Sequence, residues 1–207
     1  MSDLGAFGDL SPTTLADVVG GDGVMDIGVR PLWPGMPRVA GPAFPVRCAP
    51  GDNLMLHAAI YRAAPGSVIV VEAGDVNRAV AGGNVCAVAQ RRGIAAFVVD
   101  GVIRDLAETR AIGFPVFARG VIPIPGAKNV VGVFGVAVNC GGVEVAPGDI
   151  VVADEEGIVA VPGPRREEIL QKAMALAAKD AASTLESWEG AHRARIDQAL
   201  RDHGFAG

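Results

Sequence analysis

Residues Gly82 to Glu108 read GGNVCAVAQRRGIAAFVVDGVIRDLAE, and this stretch decides the fold. Two glycines precede a short helical segment that Gly93 closes. The run Ile94-Ala95-Ala96-Phe97-Val98-Val99 is apolar, too short for a helix, and bounded by glycine and Asp100-Gly101. That pattern predicts a buried strand. The loop after it delivers Gly101, Arg104, Asp105 and Glu108 at the strand's end. Open α/β sheets bind ligands just past the carboxyl ends of their strands. Gly82-Gly83, ahead of the helix, leaves backbone N–H groups free at a helix N-terminus, a cradle for an anion. Cradle, arginine and carboxylates can therefore converge on one small acid plus a metal.

Working outward, Ser67 to Glu72 is a nearly continuous apolar strand of the type buried on both faces. Two such strands joined through a helix predict a right-handed βαβ crossover. Asn53 is expected to cap a helix from Leu54 to Arg62 with Leu54, Ala58 and Tyr61 on one face. Ser11-Pro12 opens an earlier helix that Gly20-Gly21 stops. Six prolines between Val24 and Pro50 restrict residues 38–43 and 44–47 to edge strands or irregular segments. A short helix is expected from Leu106 to Ile112, and a small strand from Gly113 to Phe117. Further strands are expected at Val130–Val138, Asp149–Asp154 and Gly157–Val161, with Pro147-Gly148 and Asp154 to Gly157 as hairpin turns. From Pro164 to about Asp202 the pattern is helical, with Ile169, Ala173, Leu176 and Ala177 as its first apolar stripe and Gly190 as a division. The fold class is α/β: a βαβ core within an α/β domain at 1–163, and a C-terminal helical tail at 164–207 extending that domain.

Half of the 207 residues are hydrophobic but only 5% are aromatic, so Val, Ala, Ile and Leu must build the core. So apolar a chain of this size points to surface buried between subunits. Net charge is −5 with no basic block, so nucleic acid is not an expected partner. No apolar run approaches a membrane span. The three cysteines form no CxxC pair, which argues against structural disulfides and for a reducing cytoplasm. The N-terminus lacks a basic segment followed by an apolar one, so no signal peptide is read there.

Among residues that can carry chemistry, Arg104 and Asp105 come first. A guanidinium binds a carboxylate through two parallel N–H bonds. A neighbouring carboxylate can hold a hard divalent cation such as Mg²⁺ or Mn²⁺. Glu108, three residues on, projects from the same face and can bind the metal directly or through a water. The rival reading is a surface Arg–Asp pair with Glu108 at a favourable helix N-terminus. Gly82-Gly83-Asn84 reads either as a backbone nest for a carboxylate or as a plain turn with Asn84 as N-cap. His57 reads as a packing residue, and His192 and His203 as solvated. Asp154-Glu155-Glu156 reads as a solvated hairpin, while Glu72 and Asp75 are acids near the central unit. No Ser-His-Asp order, GxSxG elbow, Walker loop or zinc-binding cluster is visible.

Gly83, twenty residues, Arg104-Asp105, two residues and Glu108 match the pattern G-x20-R-D-x2-E/D. This arrangement resembles the RraA-like family, which includes regulators of ribonuclease E activity and metal-dependent 4-hydroxy-4-methyl-2-oxoglutarate aldolases. Asp52-Asn53-Leu54 with His57, VVEAGD, VVDGVIRD and GDIVVADEEGIVAVP are also similar to family segments, and the likeness runs from about Leu15 to Pro162. The resemblance implies a swivelling β/β/α fold assembled as homotrimers or hexamers, with active sites between subunits. It implies Asp105 as the divalent-metal ligand and Arg104 as the substrate-binding arginine. Gly82, Gly83, Asn84 and Val85 match the loop whose amides hold the pyruvyl carboxylate of a small 2-oxo acid.

One departure is notable. Many family aldolases carry aspartate at the position of Gly83, where it positions metal-bound water. Here Glu108, or an acid from a neighbouring subunit, must replace it. The implied reaction is metal-dependent aldol cleavage to pyruvate, with oxaloacetate decarboxylation through the same enolate. The alternative is a non-catalytic regulator that binds a ribonuclease or another protein. A methyltransferase reading is opposed by the absence of a GxGxxG loop after a strand.

Overall fold

The computed structural model describes residues 3–205. The chain divides into two compact units, Met1–Ala173 and Met174–Gly207. In the first, the expected centre is present: β3 (Val68–Glu72), α4 (Gly83–Arg91) and β4 (Ala96–Ile103) form a βαβ unit with β3 and β4 parallel and adjacent. The strand β4 runs further than its apolar run, through Asp100-Gly101, with a register irregularity between Val99 and Val102. Gly101 is required there, because a Cβ would meet the Cβ of Ala73 and the Asp75 carbonyl. Arg104 and Asp105 alone make the loop into α5 (Leu106–Ala111).

One seven-stranded sheet holds the unit together, in the order β1 (Arg30–Pro31), β5 (Val116–Val121), β4, β3, β2 (Val39–Arg47), β8 (Ile150–Asp154), β9 (Gly157–Val161). Strands β2 to β5 are mutually parallel, while β1, β8 and β9 join antiparallel. The sheet separates two apolar layers. Ile69, Val71, Phe97 and Val99 face Met55, Leu56, Cys86 and Ala89 from α3 (Leu54–Ala59) and α4. Val68, Val70, Ala96 and Val98 face the other way, onto the ribbon β6 (Val138–Cys140) and β7 (Val143–Val145). Each fully buried Val or Ile contributes roughly 1.5–3 kcal/mol, so these two-faced strands anchor the fold. Phe97 and Phe114 add an edge-to-face contact at 4.8 Å.

Several expectations need correction. The proline-rich segment 39–47 is a single strand in the middle of the sheet order. Its first half pairs only with β8 and its second half with β3, so each proline sits where one flank needs no ladder donor. Residues 130–136 are not a strand: Val130, Val131, Val133 and Val136 are exposed, and Gly135 takes φ 76°. Pro147-Gly148 does not close a hairpin, because β7 pairs with β6 and β8 with β2 and β9. The Asp149 carboxylate turns the chain instead, accepting from Ala146 N and Gly163 N at 2.8 Å each. Asp154 is buried and paired with Arg38, so only Glu155 and Glu156 of that acidic turn are exposed.

At the N-terminus, α1 (Asp3–Gly8) buries Phe7, and α2 (Pro12–Val19) starts as expected, with Ser11 capping Thr14 N at 3.1 Å. Helix α6 (Arg166–Ala181) buries Ile169, Leu170 and Ala173. In the second unit, α7 (Leu185–Asp202) begins with a capping box between Thr184 and Ser187. Gly190 lies inside α7, so Thr184 marks the division there. Among the described residues no helix is long and apolar enough to cross a membrane, and the three cysteines are buried free thiols.

Candidate active site

Asp105 is the only non-glycine described residue with positive φ, at φ 57°, ψ 44°. Aspartate tolerates this left-handed conformation better than most side chains. It stands at the N-cap position of α5 yet makes no side-chain cap bond. Its carboxylate turns instead to the start of α4 and accepts from Gly83 N at 3.1 Å. Arg104 Nε lies 3.4 Å from the same Asp105 oxygen, both side chains being more than one-third exposed. A pair so exposed is worth at most about 1 kcal/mol, so fold stability does not explain it.

The two glycines are dictated by this approach. A Cβ on Gly82 would stand 2.5 Å from Asp105 Oδ2 and 3.1 Å from Arg104 Nε. On Gly83 it would overlap the Glu108 carboxylate and stand 3.0 Å from Glu108 Cβ. Glu108 thus fills the space beside Gly83 that a side chain at that position would take. Gly82, in extended backbone, is the N-cap of α4, and Asn84 lies inside its first turn; Asn84 is not the cap. First-turn amides have no intrahelical acceptor, so those of Asn84 and Val85 are available to an anion.

Gly82, Asn84, Val85, Arg104 and Asp105 line one pocket of about 80 Å³ together with Asn53, His57, Ala79, Ala81, Pro125 and Lys128; Gly83, whose amide is taken by Asp105, and Glu108 do not line it. Sequence reasoning missed three of its polar members. Asn53 stands at the N-cap of α3 as expected, but its side chain makes no cap bond; Asp52 accepts from Leu54 N at 2.8 Å instead. The buried face of α3 is Met55, Leu56 and Ala59, so the face shared by Leu54, Ala58 and Tyr61 is turned outward, with Tyr61 exposed. That rotation leaves His57 on the pocket wall. Lys128 carried no signal at all, because its loop has no periodicity.

That loop is held from below. Asp52, buried, also accepts from Asn129 N at 2.6 Å and Val130 N at 3.2 Å. Burial alone would raise the Asp52 pKa, but the three amides outweigh it and hold the carboxyl below its usual range. Asn53 N donates to Ala127 O, and Ala127 N to Gly51 O, each at 2.8 Å.

Burial, with Lys128 nearby, holds the His57 pKa below its ordinary 6.5, against a hydrogen bond to the Val80 backbone. A histidine kept neutral in the folded state contributes stability that is complete above about pH 6.5. That contribution is lost as the pH falls from there through the lowered folded value. Denaturant midpoints taken from about pH 8 down to pH 5 should therefore decline in this window, and less so in His57→Gln. An equal decline in the variant would remove His57 as its source.

The other acids lie elsewhere. Glu72 pairs with Arg47 and accepts from Asn139 N, and Asp75 accepts from Asn77 N; neither lines this pocket. His192 stacks on Trp188 in α7, and His203 is exposed. Cys86 is no nucleophile: burial pushes its thiol up to about 11. Among the described residues no three His, Cys, Asp or Glu side chains cluster as a metal cage. A hard cation here would rest on Asp105, the one carboxylate lining the pocket, with Glu108 reaching it through a water and substrate oxygens filling other positions. That is the manner of Mg²⁺.

A family model, RraA-like (Aldolase/RraA), matches residues 12–160. A Halalkalibacterium halodurans protein provisionally named 4-hydroxy-4-methyl-2-oxoglutarate aldolase is 41% identical over 177 residues, 85% of this chain and 84% of its own. A solved Streptomyces coelicolor structure, RraAS2, described as an unusual member of the RNase ES inhibitor RraA protein family, superposes with TM-score 0.74. It is 29% identical and the match covers 93% of this chain and 96% of that one. An uncharacterized Pseudomonas syringae protein gives TM-score 0.75 at 31% identity, covering 89% and 91%.

Proposed function

Because the chain belongs to the RraA-like (Aldolase/RraA) family, we propose that it is a carbon–carbon lyase of the cytoplasm. On this reading it cleaves 4-hydroxy-4-methyl-2-oxoglutarate-type acids to pyruvate and also decarboxylates oxaloacetate. One observation carries the proposal: Arg104, Asp105 and the first-turn amides of α4 line a single small pocket. About 80 Å³ suits a short 2-oxo acid and is far below the several hundred Å³ typical of a drug-sized ligand, such as a nucleoside-bearing methyl donor.

The amides of Asn84 and Val85 take the substrate's C1 carboxylate at the positive end of α4. Arg104 orients the 2-oxo group and opposes the negative charge that develops as the C3–C4 bond breaks. A divalent cation, Mg²⁺ or Mn²⁺, held by Asp105 and by Glu108 through a water, would supply Lewis-acid stabilisation of that charge. Glu108, which fills the space beside Gly83 but does not line the pocket, would take the C4 hydroxyl proton through a water, or a neighbouring subunit of a homotrimer or hexamer would provide the acid. Oxaloacetate loses CO₂ instead and needs no such base. If Glu108 works poorly, decarboxylation survives better than aldol cleavage.

The test is pyruvate release from both substrates with Mg²⁺, with EDTA, and by Arg104→Ala. Loss of the arginine should lower turnover by about 10²–10³-fold. Equal rates in all three conditions would sink the proposal. The similarity to RraAS2 and the exposed valines at 130–136 favour a second reading, a regulator that binds a ribonuclease or other protein. Capture of a purified ribonuclease, unchanged by Asp105→Ala, would support it.

A further inference from the structure

Thr109 is a costly residue for the interior of α5, being β-branched and polar, yet it is completely buried, at 0% exposure. Its hydroxyl donates to Asp105 O, four residues back, at 3.1 Å, and its own N–H donates to the same oxygen at 3.0 Å. Between two helical residues such a back-bond is an ordinary local contact. Here the acceptor carbonyl belongs to the left-handed residue whose carboxylate reaches Gly83 N. The hydroxyl also lies against the buried Cys86 thiol of α4. Thiols bond weakly, so Asp105 O is the partner that satisfies it. On the other flank, Arg104 N donates to Ala81 O at 2.9 Å, which fixes the approach of the loop to the start of α4.

Two opposing costs meet at Asp105. An aspartate in the left-handed region is strained, and relaxing it would swing its carbonyl and its Cα–Cβ bond together. Relaxation would then take the acceptor from Thr109, and a stranded buried hydroxyl costs more than one left-handed aspartate. The carboxylate would leave Gly83 N in the same movement. We propose that Thr109 is a positioning residue: its buried hydroxyl latches the Asp105 carbonyl, which keeps Asp105 left-handed and its carboxylate against the start of α4. That the latched carboxylate serves a divalent cation rests on the lyase reading; the latch itself does not.

Amide hydrogen exchange on the metal-free, full-length protein tests the latch, with the Gly83 amide as reporter and the Ala89 amide, deeper in α4, as control. Thr109→Val keeps the shape and loses the hydroxyl, so Gly83 exchange should rise about 10-fold while Ala89 stays at the wild-type rate. Thr109→Ser keeps the hydroxyl and loses a buried methyl, so it should lower the melting temperature yet leave Gly83 near the wild-type rate. Should the valine variant not fold, Thr109→Ala against Thr109→Ser isolates the same hydroxyl. Gly83 exchange unchanged in Thr109→Val, equally fast in Thr109→Ser, or rising in step with Ala89 would overturn the latch. Mn²⁺ titrated alone, followed by electron paramagnetic resonance, then separates the two readings. Binding should weaken about 10-fold in Thr109→Val and recover in Thr109→Ser. Faster Gly83 exchange with unchanged Mn²⁺ affinity would remove Asp105 from the metal's ligands, and the latch would stand without the metal-dependent reading.

Discussion

Asp105→Asn should abolish metal-dependent pyruvate release, lowering turnover by about 10³-fold or more, while leaving the fold intact. Asparagine accepts the left-handed conformation at φ 57° and can still take the bond from Gly83 N, so only the charge is lost. Asp105→Ala should be as inactive and slightly less stable, since alanine pays about 1 kcal/mol for that backbone. The informative comparison is with chelator. Groups that act as a unit give losses that do not multiply, so EDTA should lower the rate of the variant no further. Titrating Mg²⁺ against activity completes the measurement. A variant with wild-type Mg²⁺ dependence would remove Asp105 from the metal's ligands.

The second large effect concerns stability. Asp52→Ala should cost about 1–3 kcal/mol, because it removes the buried carboxylate that accepts from the amides of Leu54, Asn129 and Val130. Urea unfolding at neutral pH reads this directly. Asp52→Asn, which keeps one acceptor oxygen, should lose less. The Asp52 carboxyl sits below its ordinary 3.8 in the folded state. Its contribution is therefore present above that value and lost as the pH falls through the folded pKa, and the alanine variant should lack this part of the acid limb. Wild-type stability in Asp52→Ala would show that the loop's amides find water instead.

The parts of the fold legible in the sequence were those with local causes. Val68 to Glu72 and Ala96 to Ile103 are apolar on both faces, and nothing but a buried parallel strand uses such a run economically. Ser11 and Pro12 announce α2 because capping is a property of four adjacent residues. Misreadings arose where a partner remote in sequence decides. The prolines of β2 look like edge residues, and each half of that strand does have one partner, but which partner depends on β8, more than a hundred residues away. The valines at 130–136 carry strand propensity, yet the segment makes a single bridge to β2, from Phe134 to Val46, and the amides of Asn129 and Val130 answer to Asp52 instead.

The candidate site divides the same way. Arg104, Asp105, Glu108 and the Gly82-Gly83-Asn84 cradle were named from spacing, because one strand–helix unit carries them and its geometry is short-range, while Val85 came from the family resemblance. By itself the sequence determined that an arginine and two carboxylates end a buried strand near a glycine-started helix. Only the tertiary structure decided that Glu108 fills the space beside Gly83, that Asp105 bends away from its own helix, and that Asn53, His57 and Lys128 close the pocket. The physical reason is range. Propensity and capping act within a turn or two of chain, whereas an Asn53 amide oxygen unpaired among the described residues and a loop anchored at Ala127 and Asn129 exist only once distant backbone has taken its partners.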